Sequence, residues 1–192
     1  MAIGTLGGVI GGNTLANYRA TATNSSNTFS TGTLVMTNGS CTAVSSGTNC
    51  GSLFSVTGMI PSSTSSSNVH IVNSGTLPST MLLSLTNLSA TNSLNSYMNM
   101  TIYDTTTSKC LYGKTGQSLP YSGACDTITN LSSQQTATQF AAVGPLTIPG
   151  SGGAQWAAAQ AHDITISVQL IASASVPGNS TVSADVQWSS TQ

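Results

Sequence analysis

Glutamate is absent from this chain and charge of either sign is scarce: Arg19, Lys109 and Lys114 stand against Asp104, Asp126, Asp163 and Asp185 in 192 residues. A net charge of −1 leaves neither a basic footprint for nucleic acid nor a polybasic patch for a membrane surface. No apolar run reaches the length of about eighteen residues that a spanning helix needs. With only His70 and His162 and no Glu, the two histidines and glutamate of a zinc-protease helix cannot be assembled. Four dispersed aspartates do not make a calcium loop, which gathers several oxygens within about a dozen residues. One backbone-assisted ion at Asp104 or Asp126 is the most they allow. Aromatic residues are also few, and Trp156, Trp188, Tyr18, Tyr97, Tyr103, Tyr112 and Tyr121 do not cluster as a sugar-stacking platform does. We read them as core and rim packing.

What is abundant is hydroxyl: 32 Ser and 29 Thr must supply the solubility that charge does not. Chains of this composition are often disordered, but here Val, Ile, Leu and Met recur at alternate positions, which a disordered tract lacks. The length suits one all-β domain able to bury a core unaided. Exposed strand edges are normally blunted with Lys or inward charges, and this chain has almost none. Either its edges are covered or pairing with other chains is their purpose.

The alternation sets out the strands. Residues 33–37 read as a strand entered through Gly32, with Leu34 and Met36 on one face, and 52–60 as another. Pro61 opens a polar turn, SSTSSS. The strand 68–73, with Val69 and Ile71 on one face, and the strand 81–86 are predicted to form a hairpin-like pair across the turn 74–78. Met98, Met100 and Ile102 alternate through 98–104. Residues 134–143 read as a helical turn or an irregular strand, and 154–161 has helix propensity with little amphipathic pattern. The segment 163–170 alternates throughout, and Val182, Ala184, Val186 and Trp188 repeat the pattern after the turn 177–179. Together these predict about eight strands in a jelly-roll-like antiparallel β-sandwich.

Residues 1–20 differ from the rest. Gly4, Gly7, Gly8, Gly11 and Gly12 punctuate an apolar stretch with one charge, Arg19, which reads as a detachable arm in front of a sandwich domain at 21–192. The glycines exclude the long apolar helix of a type IV pilin. The start resembles the apolar part of a signal peptide but lacks its basic head and cleavage site; we expect a leader to have been removed before Met1. The arm is expected to act as a donor strand completing the sheet of another copy, with Ala2, Ile3, Leu6, Val9 and Ile10 filling its pockets.

Four cysteines fall into local pairs, Cys41 with Cys50 and Cys110 with Cys125, in loops rich in Gly, Ser and Thr. Two disulfides there would contribute roughly 3 kcal/mol each and imply an oxidising compartment, or else a hyperthermophile, where intracellular disulfides also occur. The alternatives are free thiols or a zinc site, against which stand the lack of CxxC spacing and the distance of both histidines. Six sequons, at Asn24, Asn38, Asn87, Asn99, Asn130 and Asn179, are candidates for N-glycosylation if the protein is exported.

Little in the chain reads as catalytic. A Ser-His-Asp combination is numerically available, but no GxSxG elbow accompanies it. Gly150-Ser151-Gly152-Gly153 has no Lys after it and reads as a turn rather than a phosphate loop. His70 is expected on the surface, pointing away from Val69 and Ile71. His162 is expected just before a strand, paired with Asp163 or solvent. An isopeptide bond would have to use Lys109 or Lys114, both in loop-like sequence. We expect no catalytic residue, no metal and no cofactor.

Ser26-Asn27-Thr28-Phe29 followed by Gly32-Thr33-Leu34 is similar to the NTF-x-x-GTL motif of the TasA and camelysin-like secreted proteins. The segment 61–87, PSSTSSSNVHIVNSGTLPSTMLLSLTN, resembles the stretch in which that family ends one strand on N-S/T-G-T/S-L-P and begins the next, and the two closing strands sit where the family ends its sandwich. Val35 replaces the acidic residue usual after GTL, and the cysteine loops are not a family feature, which brings the chain nearer in character to archaeal threads and bundling pili. The resemblance implies a secreted, extracellular fibre subunit with a jelly-roll fold, joined head to tail by insertion of the N-terminal segment into a neighbour, in adhesion or biofilm formation. Its partner would be itself, with neighbouring filaments and cell surfaces beyond. The alternatives are a monomeric adhesin or surface-layer module whose first twenty residues fold back on their own sandwich, and a camelysin-like protease.

Overall fold

Ile164, Ile166, Val168 and Leu170 point into the interior, while Thr165 and Ser167 between them are part-exposed; this is the one-face burial that period-two sequence imposes on a half-wet sheet. The same alternation runs along 64–73, 80–90, 146–148 and 182–191, whereas 98–104 and 109–112 are buried on both faces. A computed structural model describes residues 19–23, 36–38, 59–115, 123–128, 135–153, 155–172 and 180–191. In chain order the strands are β1 (Arg19–Thr23), β2 (Met36–Asn38), β3 (Thr64–Asn73), β4 (Thr80–Ala90), β5 (Met98–Asp104), β6 (Lys109–Tyr112), β7 (Leu146–Ile148), β8 (Ala161–Leu170) and β9 (Val182–Thr191). A 3₁₀ segment (Thr91–Tyr97) precedes β5, and the single α-helix among the described residues, α1 (Ala137–Val143), precedes β7.

The strands build two antiparallel sheets, one in the order β1-β9-β4-β7, the other in the order β2-β3-β8-β5-β6. Between them lies the core, with Trp156, Trp188, Phe140, Ile71, Met81, Leu83, Ile102 and Leu111 all sealed from solvent. The all-β sandwich is therefore the fold.

Two local expectations are corrected. The segments 68–73 and 81–86 are not a hairpin, because β3 and β4 belong to different sheets. The connection crosses the core, and buried Asn73 holds the crossing. Its Nδ2 lies within 3.0–3.2 Å of the Leu77, Trp156 and Ala157 carbonyls, and its Oδ1 accepts from Gly75 N–H at 3.1 Å. The polar run after Pro61 is not all turn either: β3 starts at Thr64, and its serines find partners on β8, Ser66 Oγ lying 2.8 Å from Ser167 Oγ.

Residues 137–143 take the helical alternative. Thr136 caps the N-terminus by accepting from Gln139 N–H, Gly144 ends it at φ 81°, and Phe140 packs on Tyr112 with ring centroids 4.8 Å apart. Residues 155–160 form no helix. Trp156 is anchored instead, exchanging both backbone hydrogen bonds with Ser79 and donating Nε1–H to the Ile148 carbonyl at 2.9 Å. Gly113, at φ +100°, sits beside the β5–β6 register shift, where a Cβ would meet Thr101 Cγ2 at 2.6 Å.

Candidate functional site

Two places in the sandwich carry features that packing alone does not require: one flank of the sheets, and a polar chain at the start of β8.

Helix α1 packs on β4 and β5, and its Phe140 on Tyr112 of β6, so it covers the flank formed by β4–β7 and β5–β6. The opposite flank is formed by β1–β9 of one sheet and β2–β3 of the other. There β1 pairs only with 187–191 of β9, and β2 only with 71–73 of β3. Among the described residues, 182–186 of β9 and 64–70 of β3 therefore have a strand partner on one side alone. Registers place both stretches at the end of the sandwich where the 3₁₀ segment lies, since Val182 pairs with Ala90 of β4 and Thr64 with Gln169 of β8. Neither stretch contains Lys or Arg, the residues that commonly blunt an edge.

Arg19 and Ala20, at the base of the expected arm, pair with Thr191 and Ser190 of the same chain. The donor residues Ala2, Ile3, Leu6, Val9 and Ile10 lie outside the described residues, as do Cys41, Cys50, Asn24, Asn130 and Asn179. The Cys110–Cys125 disulfide is formed. Of the sequons that are described, Asn87 is exposed, with Nδ2 donating to Asp185 Oδ2 at 2.6 Å, and Asn38 lies in β2. Asn99 is a correction: it is buried in β5 with its side-chain nitrogen on the Ile128 carbonyl, so the packing has no room for a glycan.

The polar chain begins at Asp104, the last residue of β5. Burial alone would raise its carboxyl, but hydrogen bonds from His162 and Thr107 hold its pKa below the ordinary 3.8. Oδ1 accepts from the N–H groups of Thr106 and Thr107 and Oδ2 from the Thr107 hydroxyl, so the carboxylate also caps the turn after β5. Each of its oxygens is engaged by protein donors, which leaves little of it for an ion; at Asp126, Oδ2 likewise accepts from Thr115 N–H at 2.8 Å. Among the described residues no three metal-ligating side chains come together.

His162 is not before a strand but inside β8, fully buried, and its partner is Asp104 rather than Asp163. Its Nδ1 lies 2.6 Å from Asp104 Oδ2, and its ring stacks on Trp156 with centroids 4.0 Å apart. Asp163, one residue on and therefore on the opposite face, meets His70 at 2.6 Å across β3–β8, both exposed.

The far nitrogen of His162 continues the chain. Gln160 Nε2 lies 2.7 Å from His162 Nε2 and donates to Ser151 Oγ at 3.0 Å, while Ser151 Oγ is 3.4 Å from His162 Nε2. Gln160 Oε1 accepts from Ala157 N–H at 2.8 Å, which fixes which end of the amide faces the histidine. An amide nitrogen only donates, so His162 Nε2 must accept and Nδ1 must carry the proton toward Asp104. Ser151 is exposed, on a turn closed by the Gly150–Gly153 bridge, where a Cβ on Gly150 would collide with the Gln155 carbonyl. Acid, imidazole, amide and hydroxyl thus stand in one line, from 104, 162, 160 and 151. Sequence reading missed the line because its ends are 58 and 11 positions from the histidine, and its one local clue was the Gln160-x-His162 spacing across the start of β8.

No protein-family model matches this chain, and comparison with curated proteins gives no significant match.

Proposed function

We propose that this chain is the structural subunit of an extracellular filament, in which the N-terminal segment of one copy adds a strand to the sandwich of the next. The observation that carries the reading is the make-up of residues 1–18, apolar, uncharged and punctuated by Gly4, Gly7, Gly8, Gly11 and Gly12, in front of a sandwich whose strands β3 and β9 contain no Lys or Arg to blunt an edge. An extended segment added to a sheet satisfies backbone groups and buries apolar side chains at once. Each hydrogen bond contributes about 0.5–1.5 kcal/mol net and each well-buried aliphatic side chain about 1.5–3 kcal/mol. Ile3, Leu6, Val9 and Ile10 supply the aliphatic residues. Since Arg19 already belongs to its own sheet, the donor is confined to residues 1–18. Contact between an arm and a distant flank is heterologous and repeats without closing, which gives a fibre. The Cys110–Cys125 disulfide is in keeping with an oxidising, extracellular location.

The test compares the full chain with a chain lacking residues 1–13 by size-exclusion chromatography and negative-stain microscopy. The full chain is expected to form filaments, and the shortened one to stay monomeric and to bind a synthetic 1–13 peptide. Filaments from both chains, or a monomeric full chain, would overturn the reading in favour of a self-contained surface adhesin.

A further inference from the structure

Ser151, Gln160 and His162 hold the reactants and the base of an acyl transfer within one hydrogen-bonded cluster. We propose that Ser151 and Gln160 join in an internal ester, the serine Oγ attacking the Gln160 carboxamide carbon and expelling ammonia. The inference is independent of whether the chain polymerises.

The geometry assigns each part. Ser151 Oγ, the nucleophile, is 3.0 Å from the amide nitrogen that leaves, and His162 Nε2 is 3.4 Å from the one and 2.7 Å from the other. One base therefore reaches both the proton to be removed and the nitrogen to be protonated, as acyl transfer requires. The Gln160 carbonyl oxygen, on which negative charge develops, accepts from Ala157 N–H at 2.8 Å. Asp104 is the positioning residue: its carboxylate holds the proton of His162 on Nδ1 and so keeps the Nε2 lone pair turned toward the reaction. Trp156, flat against the imidazole, excludes solvent from a base that is itself fully buried.

The step balances without a co-reactant. Ser151 Oγ bonds to Gln160 Cδ as its proton passes to His162 Nε2. The Cδ–Nε2 bond then breaks, with that proton going to the departing nitrogen. Serine hydroxyl plus glutamine amide become ester plus ammonia, and the histidine is returned unchanged. Ammonia escapes through the exposed Ser151 turn and is diluted as ammonium, which draws the exchange forward. The link would close the segment between positions nine apart, which carries Trp156 and leads from β7 into β8.

The test is the intact mass of the full chain made in a host that adds no glycan, followed by denaturation and chymotryptic cleavage after Trp156. The mass is expected to fall short of the sequence, after allowing for disulfides, by one ammonia. The fragments on either side of Trp156 are expected to stay joined until neutral hydroxylamine separates them. Ser151→Ala, at an exposed position, and Gln160→Ala are expected to restore the full mass and let the fragments part. A wild-type chain of full mass, or fragments that separate at once, would overturn the proposal and leave the cluster a hydrogen-bonded brace.

Discussion

The indole of Trp156 lies 18° from parallel to the imidazole of His162 with centroids 4.0 Å apart, so the core residue that bonds Ser79 and Ile148 also walls in the buried His162–Asp104 pair. Removing solvent strengthens every hydrogen bond in that pair and makes each costly to leave unmade.

Stability is expected to depend on Asp104 in acid. Its folded pKa lies below the unfolded value near 3.8, so the unfolded chain binds the proton first. The contribution is complete above that value and is lost as pH falls through the folded pKa. Urea midpoints measured from pH 7 down to pH 2 should fall in that window for the wild type and much less for Asp104→Asn. Asp104→Asn should itself lower stability at pH 7, whereas His70→Ala, at the exposed pair, should change it by less than about 1 kcal/mol.

Asn73 ties the β3–β4 crossing to the Trp156 loop through three carbonyls. Replacing it with Ala takes the side-chain partner from the Leu77 carbonyl and the Gly75 N–H, while the Trp156 and Ala157 carbonyls keep the Ser79 and Gln160 N–H groups, at about 1–3 kcal/mol for an unpaired buried group. Chemical denaturation of Asn73→Ala should show a loss of that size; an unchanged midpoint would mean the loop holds itself.

The Cys110–Cys125 bridge closes a separation of 15 residues. Loop closure on that scale contributes about 3 kcal/mol. The double variant Cys110→Ser, Cys125→Ser should unfold at correspondingly lower denaturant, and a reducing agent should produce a comparable shift in the wild type.

Ser190 is buried on β9 with no hydrogen-bond partner for its hydroxyl among the described residues. Ser190→Ala removes an unsatisfied polar atom, so thermal unfolding should show it neutral or more stable, by up to about 1 kcal/mol. A clear loss of stability would show that the hydroxyl is bonded after all.

Alternation in the sequence made the buried faces legible: Val69 and Ile71, Met98 to Ile102, Ile164 to Leu170, and Val186 with Trp188 all turn inward as their spacing requires. It did not say which sheet each strand would join. Period two records the side of a strand, not its neighbour, so 68–73 and 81–86 looked like a hairpin although a core crossing separates them. His162 was misplaced for a related reason: a buried polar residue breaks the apolar pattern, and its partner Asp104 lies 58 positions away.

By itself, then, the amino-acid order determined an all-β chain with wet and dry strand faces, a locally paired Cys110 and Cys125, and no Glu with which to build many familiar active sites. Only the tertiary structure decided the two sheet orders and the meeting of Asp104, His162, Gln160 and Ser151. Those depend on contacts between residues far apart in the chain. Such contacts form when apolar faces from different segments close over one core, and no short window of sequence contains that event.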